Sequence, residues 1–488
     1  MPTTDTTSHR LPPRRDDATP DPAPPNAAPV SRLPLIALSL GYFLVMLDVT
    51  VVTVAVPAIR GSLHAGPAGL QWIVDGYSTV FAGLLLLGGG LGDRLGHRTM
   101  FVAGLTAFTA ASVGCGLAPT TGVLVVARLL QGAGAAFLVP ASLALLQTAY
   151  PTKADRARAF GIWAGVSSIA FASGPVLGGL LVAGLDWRAV FWLNVPVALV
   201  AVLLTLRHVP SPPPRPTRTR MDPVGQVLGV VGLIALAGAL NEAGTAGWTS
   251  LPVLAAFAAG ALALTVFVTV ERRLESGLAS RPDGRAPLMP PSLFSRTGFA
   301  PTAVIGFLLS FGYYGMLFLA TLYFQQERGY GALGTGLALL PSVCMSLIAA
   351  PLSGRITART GPYPPMCFAL LLGSVGFLGW LAADHDTAYP VLLFALIATG
   401  LATPMTVVAA TAAIMESAPA GGAGVASAVF NVSRQVGNAV GVALFGTLCA
   451  TAAHFTSGLH RSALIAGAAF LTGSALAAAT MRRGAPPA

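Results

Sequence analysis

The chain has 488 residues, 54% of them hydrophobic and only 9% charged, with 28 basic against 18 acidic side chains and a formal net charge of +10. Soluble domains carry about a quarter charged residues, so a string of soluble domains is excluded. The excess of Arg does not point to a nucleic-acid binder either, because the basic residues are scattered among short connections between apolar runs.

Residues 1–32 are polar and rich in Pro, Asp and Arg. They predict a disordered cytoplasmic tail without a cleaved signal peptide. From Leu33 onward, apolar runs long enough to cross about 30 Å at 1.5 Å per residue recur. They predict spans near 33–57, 69–91, 98–118, 121–147, 158–184, 188–206, 223–241, 250–270, 299–323, 332–354, 364–383, 388–414, 424–450 and 461–481, fourteen in all. The first six form an N-terminal six-helix bundle over 33–206. Residues 207–298 hold linkers and two extra spans, 299–481 form a C-terminal six-helix bundle, and 482–488 form a cytoplasmic tail. With the N-terminus inside, twenty-two basic residues fall in cytoplasmic segments and four in external ones. That bias predicts a multi-pass protein of the cytoplasmic membrane with both termini cytoplasmic. The predicted fold class is all-α integral membrane.

Asp48 lies well inside the first run. A carboxylate at such depth costs a few kcal/mol even on lenient insertion scales, so it is expected to face a cavity or partner and to serve ion or proton movement. Counting along the helices, Asp48 lies roughly 8–10 Å, Asp75 roughly 9 Å and Arg128 roughly 10–11 Å below the outer edge. Three ionisable residues on three helices therefore share one layer. This predicts a coupled cluster in which Arg128 holds a carboxylate ionised and a proton or cationic substrate competes for Asp48. Asp75 is either a second member or an interfacial residue beside Trp72.

The stretch Gly89-Gly90-Leu91-Gly92-Asp93-Arg94-Leu95-Gly96-His97-Arg98 permits a tight turn between packed helices, and its glycines have the wrong spacing for a nucleotide site. Farther on, Gly174-Pro175 removes a backbone donor and lets its helix bend, while Gly178-Gly179 allow close helix approach. That combination predicts a seal against leak, or plain packing. In the run 424–450, Asn431, Arg434 and Asn438 fall on one helical face with Gly441 and Phe445. Arg434 lies near the midplane, as a latch between halves or a substrate contact. Tyr42, Phe43, Tyr77, Trp163, Tyr313, Tyr314 and Tyr323 are candidates for an apolar pocket of the kind that suits lipophilic compounds, or for lipid-facing belts.

Cys115, Cys344, Cys367 and Cys449 sit in apolar stretches without metal-ligand spacing and read as packing residues. No GxxxxGK[ST] occurs, so ATP-driven transport within this chain is not expected. No cofactor, metal site or membrane-embedded enzyme is expected.

Several of these stretches together resemble the major facilitator superfamily. Gly89 to Arg98 is similar to that family's GxLaDrxGrk loop, with His97 in place of a basic residue. The resemblance implies a conformational gate built on Asp93 and Arg94, with Gly89, Gly96 and Arg98 in the same motif. Leu47-Asp48-Val49-Thr50-Val51-Val52-Thr53-Val54-Ala55-Val56-Pro57 looks like the LDxTVVNVALP pattern of the fourteen-span drug:proton antiporter branch, with Thr53 at the usual Asn. Arg128 to Ala136, which includes Gln131, resembles RxxqGxgaa. Ser173 to Gly179 is close to the antiporter motif gxxxGPxxGG, carried here by Gly174, Pro175, Gly178 and Gly179, with Ala170 at its leading Gly. Asp186-Trp187-Arg188-Ala189-Val190-Phe191-Trp192-Leu193-Asn194-Val195-Pro196 is also typical of the branch. Arg434-Gln435-Val436-Gly437 matches a stretch common in the family. Ser353 to Gly361 looks like a degenerate copy of the 89–98 loop with Ala358 at the Asp position, and the run 332–354 lacks the extra acid of some multidrug members.

The resemblance implies a major facilitator fold with two six-helix bundles, two inserted central spans and inverted repeats around a cavity. It implies export of an amphipathic drug or antibiotic against inward proton movement by alternating access. Asp48, Arg128 and Asp75 are then the proton-coupling candidates, and Tyr42, Gln131, Trp163, Asn431 and Arg434 the cavity candidates. The expected partners are a lipophilic small molecule, protons and the bilayer, with no nucleic acid, and the expected state is a monomer. A metabolite permease and a non-pumping membrane sensor of the same fold are the alternatives.

Overall fold

A computed structural model describes residues 32–210, 222–278, 285, 287–419 and 422–484. The predicted disordered tail, apart from Arg32, and the middle of the linker after residue 207 lie outside the described residues, as do residues 485–488.

A backbone in hydrocarbon must satisfy its own hydrogen bonds, and the apolar runs do so as long helices. The first half comprises α1 (Leu33–Leu63), α2 (Pro67–Leu95), α3 (His97–Gly116), α4 (Thr121–Ala149), α5 (Lys153–Gly184), the single turn α6 (Ala189–Trp192) and α7 (Asn194–His208). A hairpin follows, α8 (Pro223–Ala246) and α9 (Leu251–Leu278). The second half comprises α10 (Phe299–Leu322), α11 (Ala332–Thr360), α12 (Tyr363–Leu378), α13 (Tyr389–Ser417), α14 (Ala423–Ala450) and α15 (Phe455–Gly484).

The starts and stops follow local chemistry. Thr120, Thr152 and Asp222 accept backbone N–H groups at the starts of α4, α5 and α8, as N-cap oxygens do. Proline occupies the first turn of α1, α2, α8, α12 and α13, where its missing N–H costs nothing. Gly96 at φ 95° and Gly361 at φ 80° turn α2 into α3 and α11 into α12, a conformation open to glycine.

Within the first half α1 packs on α5 and α7, and α4 on α2 and α3; within the second, α10 packs on α14 and α15, and α13 on α11 and α12. The α8–α9 hairpin leans on α2 and α14, and the two halves meet where α2 packs on α14 and α5 on α11.

Among the described residues twelve helices are long and apolar enough to cross a membrane, or thirteen if the two arms of α5, bent by 40°, count as one span. The sequence expectation of fourteen exceeds this count. The difference includes α14, which is 28 residues long but carries Ser427, Asn431, Arg434, Gln435 and Asn438. Those polar residues sit on a helix flanked by α2, α4, α8, α10, α13 and α15.

Candidate functional site

Arg128 is among the largest fully buried side chains of the molecule. Taking a lone guanidinium out of water costs several kcal/mol, so its partners identify the site. Its Nη1 donates to Asp48 Oδ2 and to Gln131 Oε1 at 2.8 Å. Its Nε donates to the Ile73 carbonyl at 2.9 Å, and its guanidinium lies 4.5 Å from the Tyr77 ring centroid. The other Asp48 oxygen, Oδ1, accepts from Gln131 Nε2 at 2.8 Å and from Asn194 Nδ2 at 3.2 Å. Asn194 also donates to Ser112 Oγ at 2.9 Å, and Ser112 donates to the Phe191 carbonyl at 2.9 Å.

The network thus ties α1, α2, α3, α4 and α7 around one carboxylate with no solvent exposure. Each charged atom of Asp48 has a donor, the condition under which a buried pair is tolerated. Asn194 and Ser112 were not assigned this role from sequence. Asn194 stands in the Asp186–Pro196 stretch, whose typical look was the available signal; Ser112 had none.

Asp75 stays outside this network. Ile73 and Tyr77 are four residues apart and face Arg128. Asp75 lies two residues from each, about 200° around the helix. It is half-buried and acts with Gln71 and with Glu242 of α8.

The bent helix α5 closes on α1 one turn beyond Asp48. A Cβ built at Gly174 would overlap Thr50 Oγ1, and one at Gly178 would come to 3.1 Å from Val51 Cγ2 and from the Val51 carbonyl. Gly179 meets nothing within 4 Å. The arms Lys153–Phe171 and Val176–Gly184 diverge by 40°; the Pro175 side chain between them lies outside the described residues.

The 89–98 stretch meets the other half. Asp93 Oδ1 accepts Gly424 N–H at 2.9 Å and Oδ2 accepts Val425 N–H at 3.0 Å. These are the second and third residues of α14, whose own N-cap Gly422 offers no side chain. Asp93 therefore fills the N-cap role in trans and places negative charge at the positive end of the helix dipole. His97 Nε2 lies 3.2 Å from the same carboxylate. Gly89 packs on Gly424 at this contact, Arg94 is half-buried in the last turn of α2, and Arg98 donates within its own half to the Leu206 carbonyl. In the second half, Gly354 packs on Gly161 of α5. Ala358 supplies no carboxylate there, and α5 is capped by its own Thr152, which also bonds Asp155.

Between the halves lies a cavity lined by residues of both. Tyr42 and Trp163 stack on one wall, ring centroids 3.9 Å apart and planes 4° from parallel. Tyr313, Tyr314 and Arg434 stand among the other lining residues. Of the sequence-derived cavity candidates, Tyr42, Trp163 and Arg434 line it. Gln131 belongs to the Asp48 network instead, and Asn431 is buried, donating to the Ser427 carbonyl one turn back at 2.9 Å. Met46 lines the cavity while Asp48, two residues on, is sealed away from it.

The Major Facilitator Superfamily model matches residues 38–442. The Methylenomycin A resistance protein of Streptomyces coelicolor is 36% identical over 443 residues, 91% of each chain. Multidrug resistance protein Stp of Mycobacterium tuberculosis is 37% identical over 86% of this chain and 76% of its own. The Tetracenomycin C resistance and export protein of Streptomyces glaucescens is 36% identical over the same two shares. Among solved structures, that of the human organic anion transporter MFSD10 superposes with a TM-score of 0.69 over 92% of this chain and 100% of that one, at 16% identity. The last is a likeness of fold.

Proposed function

The chain belongs to the Major Facilitator Superfamily, and from that premise we propose that it exports amphipathic drugs or antibiotics across the cytoplasmic membrane in exchange for protons, by alternating access. Relatives named for antibiotic and multidrug resistance match it over most of its length. The observation that carries the proton-coupled part is the fully buried Asp48–Arg128 pair, donor-satisfied and walled off from the cavity.

In this proposal the chain crosses the membrane fourteen times. The α8–α9 hairpin supplies two crossings and α14 another, its polar residues facing neighbouring helices and the cavity rather than lipid. With the N-terminus inside, the Asp93–α14 and Gly161–Gly354 contacts close the cytoplasmic side. A proton reaching Asp48 from outside cancels its charge and leaves Arg128 a buried cation without a counter-ion. Breaking such a pair costs about 3–5 kcal/mol. A proton moving down the membrane potential releases about 2.3 kcal/mol per 100 mV, so the two magnitudes are commensurate. The strain is relieved by repacking α1 on α5 at Thr50–Gly174 and by release of Asp93 from α14, which opens the cavity inward. Purified protein in vesicles with an imposed pH gradient tests the proposal: drug addition should drive proton movement, and its absence would favour a non-pumping sensor.

A further inference from the structure

We propose that the cavity selects amphipathic organic anions, with Arg434 as the group that binds the negative charge. The inference rests on the cavity being the substrate site of an exporter, and it fixes the substrate class.

Among the described residues no Asp or Glu lines the cavity, and Arg434 is its one charged side chain. The groups that act on Arg434 are the hydroxyls of Tyr42 and Tyr314, with the Phe430 ring 5.9 Å away. Neutral hydroxyls accept hydrogen bonds but leave the positive charge uncompensated, and a buried charge without a counter-charge costs several kcal/mol. The same molecule shows what a compensated buried arginine looks like: Arg128 has a carboxylate, an amide oxygen and a backbone carbonyl. Arg434 has no such set, and its Nε is buried without an acceptor.

The neighbouring walls point the same way. Trp163 Nε1, which can only donate, is also buried without an acceptor, and Trp163 lines the cavity. A site with an unbalanced positive charge, no carboxylate and a buried donor-only group without an acceptor fits a ligand bearing negative charge. Tyr42 and Trp163, buried and stacked on each other, form an apolar wall beside that charge, which suits an apolar body. The cation expected from sequence to compete for Asp48 finds no carboxylate here, because Asp48 is sealed behind Met46. The chemistry recognised is thus an apolar acid such as an aromatic carboxylate.

The test uses full-length purified protein and three matched probes: 2-naphthoate, its methyl ester and 2-naphthylmethylammonium. Equilibrium binding should rank naphthoate first, by roughly ten- to a hundredfold over both analogues, the range of a charge-assisted hydrogen bond. Arg434→Gln should erase that preference and leave the ester within about threefold of its original affinity; Arg434→Lys should keep part of it. Tighter binding of the ammonium probe, or an anion preference that survives Arg434→Gln, overturns the proposal. If Arg434→Gln does not give monodisperse protein, the wild-type ranking and Arg434→Lys decide. Vesicle flux separates this inference from the one beneath it: selective naphthoate binding without proton-coupled movement sinks antiport alone, and proton-coupled export confined to the ammonium probe sinks the anion site alone.

Discussion

Gly89 of α2 and Gly424 of α14 approach each other reciprocally: a Cβ built on either falls 2.4 Å from the other's carbonyl oxygen. Backbone atoms cannot swing away as side-chain tips do, so neither position accepts a side chain while the halves are closed. This contact lies beside the Asp93 carboxylate that caps α14. In the proposed orientation, Gly424→Ala should therefore disfavour closure of the cytoplasmic side. Asp93→Asn should do so more mildly, because a helix-terminus charge contributes about 0.3–2 kcal/mol. In a background without native cysteines, Ser346→Cys in the cavity wall should react several-fold faster with a membrane-impermeant maleimide from the cytoplasmic side in both variants. Unchanged labelling rates would remove the gate role from this contact.

Gly174 and Thr50 make a second test of fit. Gly174→Ala drives a methyl group into the Thr50 side chain, and overpacking of this kind costs about 1–3 kcal/mol. Transport should fall at least tenfold. Thr50→Gly, which removes both Oγ1 and Cβ, should restore part of it in the double variant. Equal loss in single and double variants would mean that α5 does not act through α1.

Asn194 completes the donor set of Asp48. Asn194→Leu leaves a buried carboxylate oxygen one donor short and removes a donor to Ser112 Oγ, which keeps its bond to the Phe191 carbonyl. The expected cost is roughly 1–3 kcal/mol, visible as a lower thermal transition of the purified protein. A variant as stable as wild type would show that the amide is dispensable.

These relationships were unequally legible in the sequence. Helix register fixes height in a bilayer, so the shared layer of Asp48 and Arg128 could be read by counting residues. Height does not fix azimuth: Asp75 sits in the same layer but faces α8, because Ile73 and Tyr77 take the face toward Arg128. Asn194 and Ser112 are ordinary small polar residues in apolar runs, and only packing shows what they serve. Asp93 and Gly424 are 331 residues apart, with no local pattern linking them. The 89–98 motif pointed to one half of this contact and not to the helix end that it caps. The polar face of α14 was visible as a period, yet the division of labour along it was not. Arg434 reaches the cavity, Asn431 bonds its own helix, and Gly437 and Gly441 press on the Phe307 and Phe311 carbonyls of α10.

Drug-driven proton flux in vesicles, compared between Asp48→Asn and Asp75→Asn, tests the central claim most directly. Asp48→Asn should abolish proton movement while still exchanging drug for drug, which shows that it is folded and that its cavity works. Asp75→Asn should keep proton flux within about twofold of wild type. Full proton-coupled transport by Asp48→Asn would contradict the account.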